Sequence, residues 1–379
     1  MEKYSRKAFC PYRVCPLGAH VDHQFGSVTG FAIDKGITIE YEIAEDTIVT
    51  ATSANMEGKK SFDVNHIPPK TGDWADHLRG AARMLRLNNH KLTHGIKCHI
   101  TGTLPIGGLS SSASVIIAFM SALCEANDIF IQQEDIIRIA QQVENSYVGV
   151  SCGTLDQSCE VYSKANSLLY LDTKDGSYEH IEEPLNMPQY EIGIFFSGVP
   201  RSLAGTAYNM RVDECKSAAY YLKAISGMPY GKYEETRLRD IPFEIFEQYK
   251  DGLPVNWRKR AEHYFAEQRR VREGVQCFKN GDLKGFGRLV FESGKSSIES
   301  YETGSPELKA LYEAMLDTEG IYGGRFSGAG FKGCCIAIVD PKYKDSITET
   351  VKKQYLDLFP ELEDKFEVHY CKTSDGVKF

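Results

Sequence analysis

Apolar and polar positions change their period several times along this chain, and each change marks an element. Ile37-Thr38-Ile39-Glu40-Tyr41-Glu42-Ile43 alternates with period two, and Thr47 to Thr52 is rich in β-branched residues, so both stretches predict strands. Asp73 to Leu87 has helical spacing, and Ile96 to Thr101 alternates again. Ile116, Phe119, Met120 and Leu123 recur at i, i+3, i+4 and i+7, the apolar face of one helix. Gln133 to Tyr147 predicts another helix and Ser167 to Asp172 a short strand. Beyond a proline-containing break at 184–188, the pattern gives a strand at 190–196 and helices at 206–225, 257–279 and 306–317. A strand at 334–339 and a helix at 341–358 complete it. Strands and helices are mixed rather than strictly alternating, which predicts an α+β protein with two domains, 1–186 and 187–379.

Between the strand at 96–101 and the helix that follows lies Leu104-Pro105-Ile106-Gly107-Gly108-Leu109-Ser110-Ser111-Ser112-Ala113-Ser114. Backbone amides at the start of a helix have no intrahelical partner, and the helix dipole adds positive potential there. A glycine-rich turn opening a helix is therefore suited to phosphate. Two other matches fail on context. Gly294-Lys295-Ser296 resembles the end of a nucleotide loop, but the position needing glycine is Leu289, within a helical pattern. Gly328-Ala329-Gly330-Phe331-Lys332-Gly333 has dinucleotide-fingerprint spacing, yet it precedes a strand rather than opening a helix.

Composition narrows the partners. The chain has 379 residues, 42% of them hydrophobic, enough for a large core, and its net charge of −8 argues against a general nucleic-acid binder. No apolar run reaches membrane-spanning length, and the N-terminus lacks a signal-peptide core. Eleven cysteines, an odd number without a Cys-x-x-Cys pair, fit reduced thiols in a cytoplasmic protein, and Cys334-Cys335 read as small core residues.

Four segments, in order, resemble the GHMP small-molecule kinases and, within them, the galactokinase-like sugar kinases. They are Pro11-Tyr12-Arg13-Val14-Cys15-Pro16-Leu17-Gly18-Ala19-His20-Val21-Asp22-His23, the loop 104–114, Cys152-Gly153-Thr154-Leu155-Asp156-Gln157 and Gly324-Arg325-Phe326-Ser327-Gly328-Ala329-Gly330-Phe331. The similarity spans nearly the whole chain. It implies an N-terminal α/β domain with a left-handed crossover, a ferredoxin-like C-terminal domain, and ATP with Mg²⁺ as cosubstrate and metal. The first segment departs from galactokinases at one point: the glutamate that contacts the hydroxyl on carbon 6 of the sugar is replaced by Ala19. Losing that carboxylate removes a like-charge repulsion of several kcal/mol against an acidic sugar and opens space. The phrase 11–20 and the pair Cys334-Cys335 are especially similar to galacturonic acid kinases, whose sugar carries a carboxylate at carbon 6. Galactose or another hexose or amino sugar stands as an alternative substrate, and a non-catalytic sugar sensor as a reading from another class.

The resemblance implies a role for each matched residue. Asp156 would take the proton of the anomeric hydroxyl, with Arg13 beside it and the transferring phosphate. Gly107, Gly108, Leu109, Ser110, Ser111, Ser112 and Ala113, with Gly328 beneath them, would cradle ATP; Ser112 and Glu144 would hold Mg²⁺. Ala19, His20, Asp22 and Gly153 would line the sugar site. Tyr208 is either a sugar contact or a core tyrosine, and Trp74 either lies near the adenine or is plain core. Arg201 is the first choice for a cation on the substrate carboxylate and His23 the second. His20 and His23 without a third ligand do not make a zinc site.

Overall fold

The computed structural model describes residues 4–199, 205–229 and 231–378. The chain begins with β1 (Arg6–Val14), paired antiparallel with β2 (Ser27–Ile43), and the register shifts between Pro11 and Arg13. Pro11 has no N–H to give the ladder, so an irregularity there is expected. Next come the hairpin β3 (Ile48–Ser53) and β4 (Lys60–Asp63), then α1 (Asp76–Leu87) and β5 (Ile96–Gly102). The helices α2 (Ser111–Ala126), α3 (Gln133–Gln142) and α4 (Leu155–Tyr162) follow, then the hairpin β6 (Ser167–Asp172) and β7 (Tyr178–Glu182). The sheet order is β4-β3-β5-β2-β6-β7, with β1 also on β2; β3 and β5 run parallel. α2 packs across β1 and β2, which brings the start of the helix to the end of β1.

The second half holds β8 (Glu191–Phe196), α5 (Gly205–Ile225), α6 (Phe243–Tyr249), α7 (Val255–Lys279), α8 (Leu283–Glu299) and α9 (Pro306–Leu316). β9 (Ile321–Phe326), β10 (Cys334–Val339), α10 (Lys344–Leu358), β11 (Glu367–Cys371) and β12 (Thr373–Ser374) follow. The order β11-β8-β10-β9, antiparallel throughout, with helices between its first and second and its third and fourth strands, is the ferredoxin-like arrangement. β12 returns to the first sheet, where Thr373 faces Ile33.

One apolar core runs through both halves, from Ile116, Phe119 and Met120 of α2 and Phe31 of β2 to Phe278 and Phe286 of α7 and α8. A smaller one lies between the second sheet and α9 and α10, around Phe195, Phe326, Leu311 and Tyr355. Cys334 and Cys335 are both fully buried in β10, and all eleven cysteines are free. Among the described residues no helix is long and apolar enough to cross a membrane.

Two of the expected elements differ in form from the sequence pattern, and other elements, among them β1 and α8, are not delimited by it. The helix expected at 133–147 is regular only to Gln142 and continues as a π-helical turn, Val143–Val148. The helix expected from Pro341 starts as a 3₁₀ turn, Pro341–Tyr343, before α10.

Candidate active site

The glycine loop joins β5 to α2. Gly107 and Gly108 have φ of 141° and 87°, and Ser110 takes the left-handed conformation at 58° just before the helix. This path is pressed against the turn that follows β9: a Cβ on Gly107 would lie 3.0 Å from Gly333 Cα, and one on Gly328 3.1 Å from Gly108 Cα. Ser327 N–H donates to Cys334 O at 3.0 Å and closes that turn. The third motif is thus a glycine turn under the phosphate loop, and glycines on both sides allow the backbones to meet.

Arg13, 4% exposed at the end of β1, joins three parts of this site. Its Nη1 donates to Gly108 O at 3.0 Å, and its Nε donates to Asp156 Oδ1 at 2.7 Å. Burial works against the guanidinium charge, but Asp156 more than offsets it and holds Arg13 above its ordinary range. The second oxygen of Asp156 accepts from the Ser110 hydroxyl. Asp156 lies in the first turn of α4, where the helix dipole favours a negative charge. Ser112 Oγ donates to Glu144 Oε1 at 2.8 Å. Glu144 stands in the π turn, and its Oε2 accepts from Gln157 Nε2 at 2.5 Å. π turns recur at functional sites because the extra residue re-aims side chains.

The segment after Arg13 forms the neighbouring wall. Gly18 N–H donates to Glu267 Oε1 at 2.7 Å, and Ala19 O lies 3.0 Å from His263 Nε2. His20, at φ 61°, stacks on Tyr301 with centroids 4.4 Å apart and planes 9° from parallel. Its Nε2 is buried with no hydrogen-bond partner among the described residues. Asp22 lies against Gly153, where a Cβ would come within 2.4 Å of Asp22 Oδ2, so residue 153 has to be glycine. Burial and then the negative Asp156 push Asp22 up to about 6. His23 Nε2 is 3.0 Å from the Tyr301 hydroxyl, and its ring meets Tyr208 edge-on at 6.0 Å.

Comparison with known proteins places this constellation. The description "GHMP kinases N terminal domain" matches residues 76–164 and "GHMP kinases C terminal" matches 275–357. A galacturonokinase of Arabidopsis thaliana is 36% identical over 397 aligned positions, covering 98% of this chain and 93% of the plant protein. A galactokinase of Roseiflexus sp. (strain RS-1) is 31% identical, covering 97% of this chain and 91% of its own. Lactococcus lactis galactokinase, solved with galactose, superposes with a TM-score of 0.89 at 27% identity, over 98% of this chain and 94% of that one. The chain belongs to the GHMP kinase family. It is an ATP-dependent sugar kinase of that family.

For a GHMP kinase the donor set suits Mg²⁺. A hydroxyl and a carboxylate, both oxygen donors, meet at the mouth of the phosphate loop through the Ser112–Glu144 contact. Mg²⁺ takes few protein ligands and completes its shell with phosphates and water. Among the described residues no cluster of three or more metal-binding side chains offers a dedicated cage.

Not every expected residue joins the cluster. Trp74 packs against the core just before α1, and its indole N–H donates to Glu57 O at 3.1 Å. Arg201 lies outside the described residues. His23 is not a cation: burial, then Arg237 and Lys216, hold it down to about 3, so it is neutral at neutral pH. Tyr301, His263 and Gln157 were missed by the sequence reading. Tyr301 and His263 sit far along the chain from the residues they touch, and no local pattern sets them apart, whereas Gln157 lies within the segment 152–157 and only the fold shows that it reaches Glu144.

Proposed function

We propose that this kinase transfers the γ-phosphoryl group of ATP to the anomeric hydroxyl of D-galacturonate, giving the 1-phosphate. Asp156 accepts the hydroxyl proton as the oxygen–phosphorus bond forms and the bond from the γ-phosphorus to the bridging oxygen of ADP breaks. Arg13, fixed between Asp156 and Gly108 O, sets a positive charge beside the carboxylate and stabilises charge on the transferring group. The amides of 107–113, with Gly328 beneath, hold the phosphates. Ser112 and Glu144 hold Mg²⁺, which supplies charge neutralisation when bound. His20, Asp22 and Tyr208 orient the sugar, and the unpartnered His20 Nε2 suits a hydroxyl. We assign residues 1–186 and 187–379 to two domains with the site between them.

The observation that carries the choice of sugar is Ala19, a buried methyl where galactokinases have a glutamate. Galactose is the second reading, favoured by galactokinases at 31% and 33% identity. The presence of Arg13, Ser112, Glu144 and Asp156 together argues against a sensor without activity.

ADP release with Mg-ATP and galacturonate, galactose, glucuronate or no sugar tests the proposal. Turnover should strongly favour galacturonate, and Asp156→Asn should lower kcat by about 10²–10⁴ with the fold intact. Preference for galactose would discard the carboxylate argument; an active Asp156→Asn would remove Asp156 as the base.

A further inference from the structure

Around the candidate sugar site most cations are paired with carboxylates, and the buried Arg325 is held instead by the Ser293 and Ser297 hydroxyls and Phe326 O. Arg13 binds Asp156, Arg211 binds Glu214, Arg239 binds Asp172, and Arg260 binds both Glu214 and Glu302. Lys216 and Arg237 make no ion pair with any described carboxylate. Arg237 Nη1 donates only to backbone carbonyls, of Glu234 at 2.6 Å and Thr236 at 2.9 Å, while its Nε is buried without a partner. The nearby carboxylate of Asp240 is engaged by Lys223 at 3.1 Å and Lys174 at 3.7 Å. Asp213 and Glu234 contribute attraction at Lys216 without reaching ion-pair distance.

The fold holds these two cations against the sugar turn. Leu238 N–H donates to Gln24 Oε1 at 3.1 Å, and Gln24 Nε2 lies 3.0 Å from His23 Nδ1. The Arg237 guanidinium stands 5.0 Å over the Phe25 ring. Lys216 lies on α5, the helix that carries Tyr208 onto His23. Burial, then Arg237, lowers the Lys216 ammonium, and burial lowers Arg237; both cations in turn depress His23. Two like charges, partly desolvated and facing a neutral histidine, are unfavourable until an anion meets them.

We infer that Lys216 and Arg237 form an anion subsite that takes the carboxylate of a sugar acid bound beside the Asp22–Gln24 turn. This rests on the galacturonate reading above and gives it the cation that the sequence left open. The exchange of glutamate for Ala19 removes a negative charge from the same segment, four residues before His23, so both features favour an acidic sugar.

The test compares Lys216→Met and Arg237→Gln with the wild type in two measurements. One is steady-state kinetics on galacturonate and on galactose; the other is calorimetric binding of galacturonate without ATP. Each variant should raise KM and Kd for galacturonate about tenfold or more, as expected for loss of a charge-assisted contact, with kcat little changed. The ratio of galacturonate KM to galactose KM should rise by the same factor. If the wild type uses galacturonate and neither variant moves that ratio, the subsite is overturned and the substrate reading stands. If the wild type neither binds nor phosphorylates galacturonate, the substrate reading falls and takes the subsite with it. Equal losses on both sugars would mark a structural role and also overturn the subsite. Lys216 makes no hydrogen bond among the described residues, so Lys216→Met decides the matter should Arg237→Gln fail to fold.

Discussion

At position 19 a methyl group stands where a galactokinase carboxylate would contact carbon 6 of the sugar, and the backbone around it is fixed by His263 on Ala19 O. If galacturonate is the substrate, as proposed, a glutamate introduced there would face its carboxylate at short range in a site of reduced dielectric. Ala19→Glu should therefore lower kcat/KM for galacturonate at least about tenfold more than for galactose, the effect of roughly 1.4 kcal/mol. Competitive turnover of the two sugars measures it, and equal losses would defeat the repulsion argument. Position 19 was legible because one residue breaks an otherwise matching segment. Lys216 and Arg237 were not legible, since a cation's importance there comes from the carboxylates that fail to reach it.

Among the elements, the phosphate loop depends on a turn more than 200 residues later. Gly333 has φ 109°, and a Cβ there would lie 2.7 Å from the carbonyl carbon of Gly107. Gly333→Ala should cost about 1–3 kcal/mol in left-handed strain and push the loop off the second sheet. The expected result is a lower melting temperature together with a raised KM for ATP; an unchanged KM would separate the turn from nucleotide binding. The loop itself could be read from its order of strand, glycines, serines and helix. β1 could not: its last five residues are all buried, so it lacks the alternation that marks β2. The π turn at 143–148 was also hidden, because its residues keep a helical pattern while the backbone bends Glu144 toward Ser112.

For the whole molecule, folding gathers three histidines from two distant segments around Tyr301, and this contributes to the response to acid. His20, His23 and His263 are all lowered by burial first, His23 to about 3 and His263 to about 4. From an ordinary value near 6.5 down to about 4, the unfolded chain takes up protons that the folded one refuses, so stability falls as pH falls. Asp22, raised to about 6, and Glu160, raised well above its ordinary value by burial, work the other way, because the folded state binds their protons first, but they oppose three histidines with two groups. Urea midpoints at about pH 7, 5.5 and 4.5 should decline, and His263→Gln should flatten the decline; a constant midpoint would contradict the cluster's role. The sequence by itself determined the family resemblance, the phosphate loop, the Arg13 and Asp156 candidates and most of the longer elements, because these depend on residue type at fixed local spacing. Tertiary structure alone decided that Arg13 spans the loop and α4, that His23 is neutral, and that Lys216 and Arg237 stand without carboxylates. Burial and charge at a site are sums over neighbours the chain brings together only on folding.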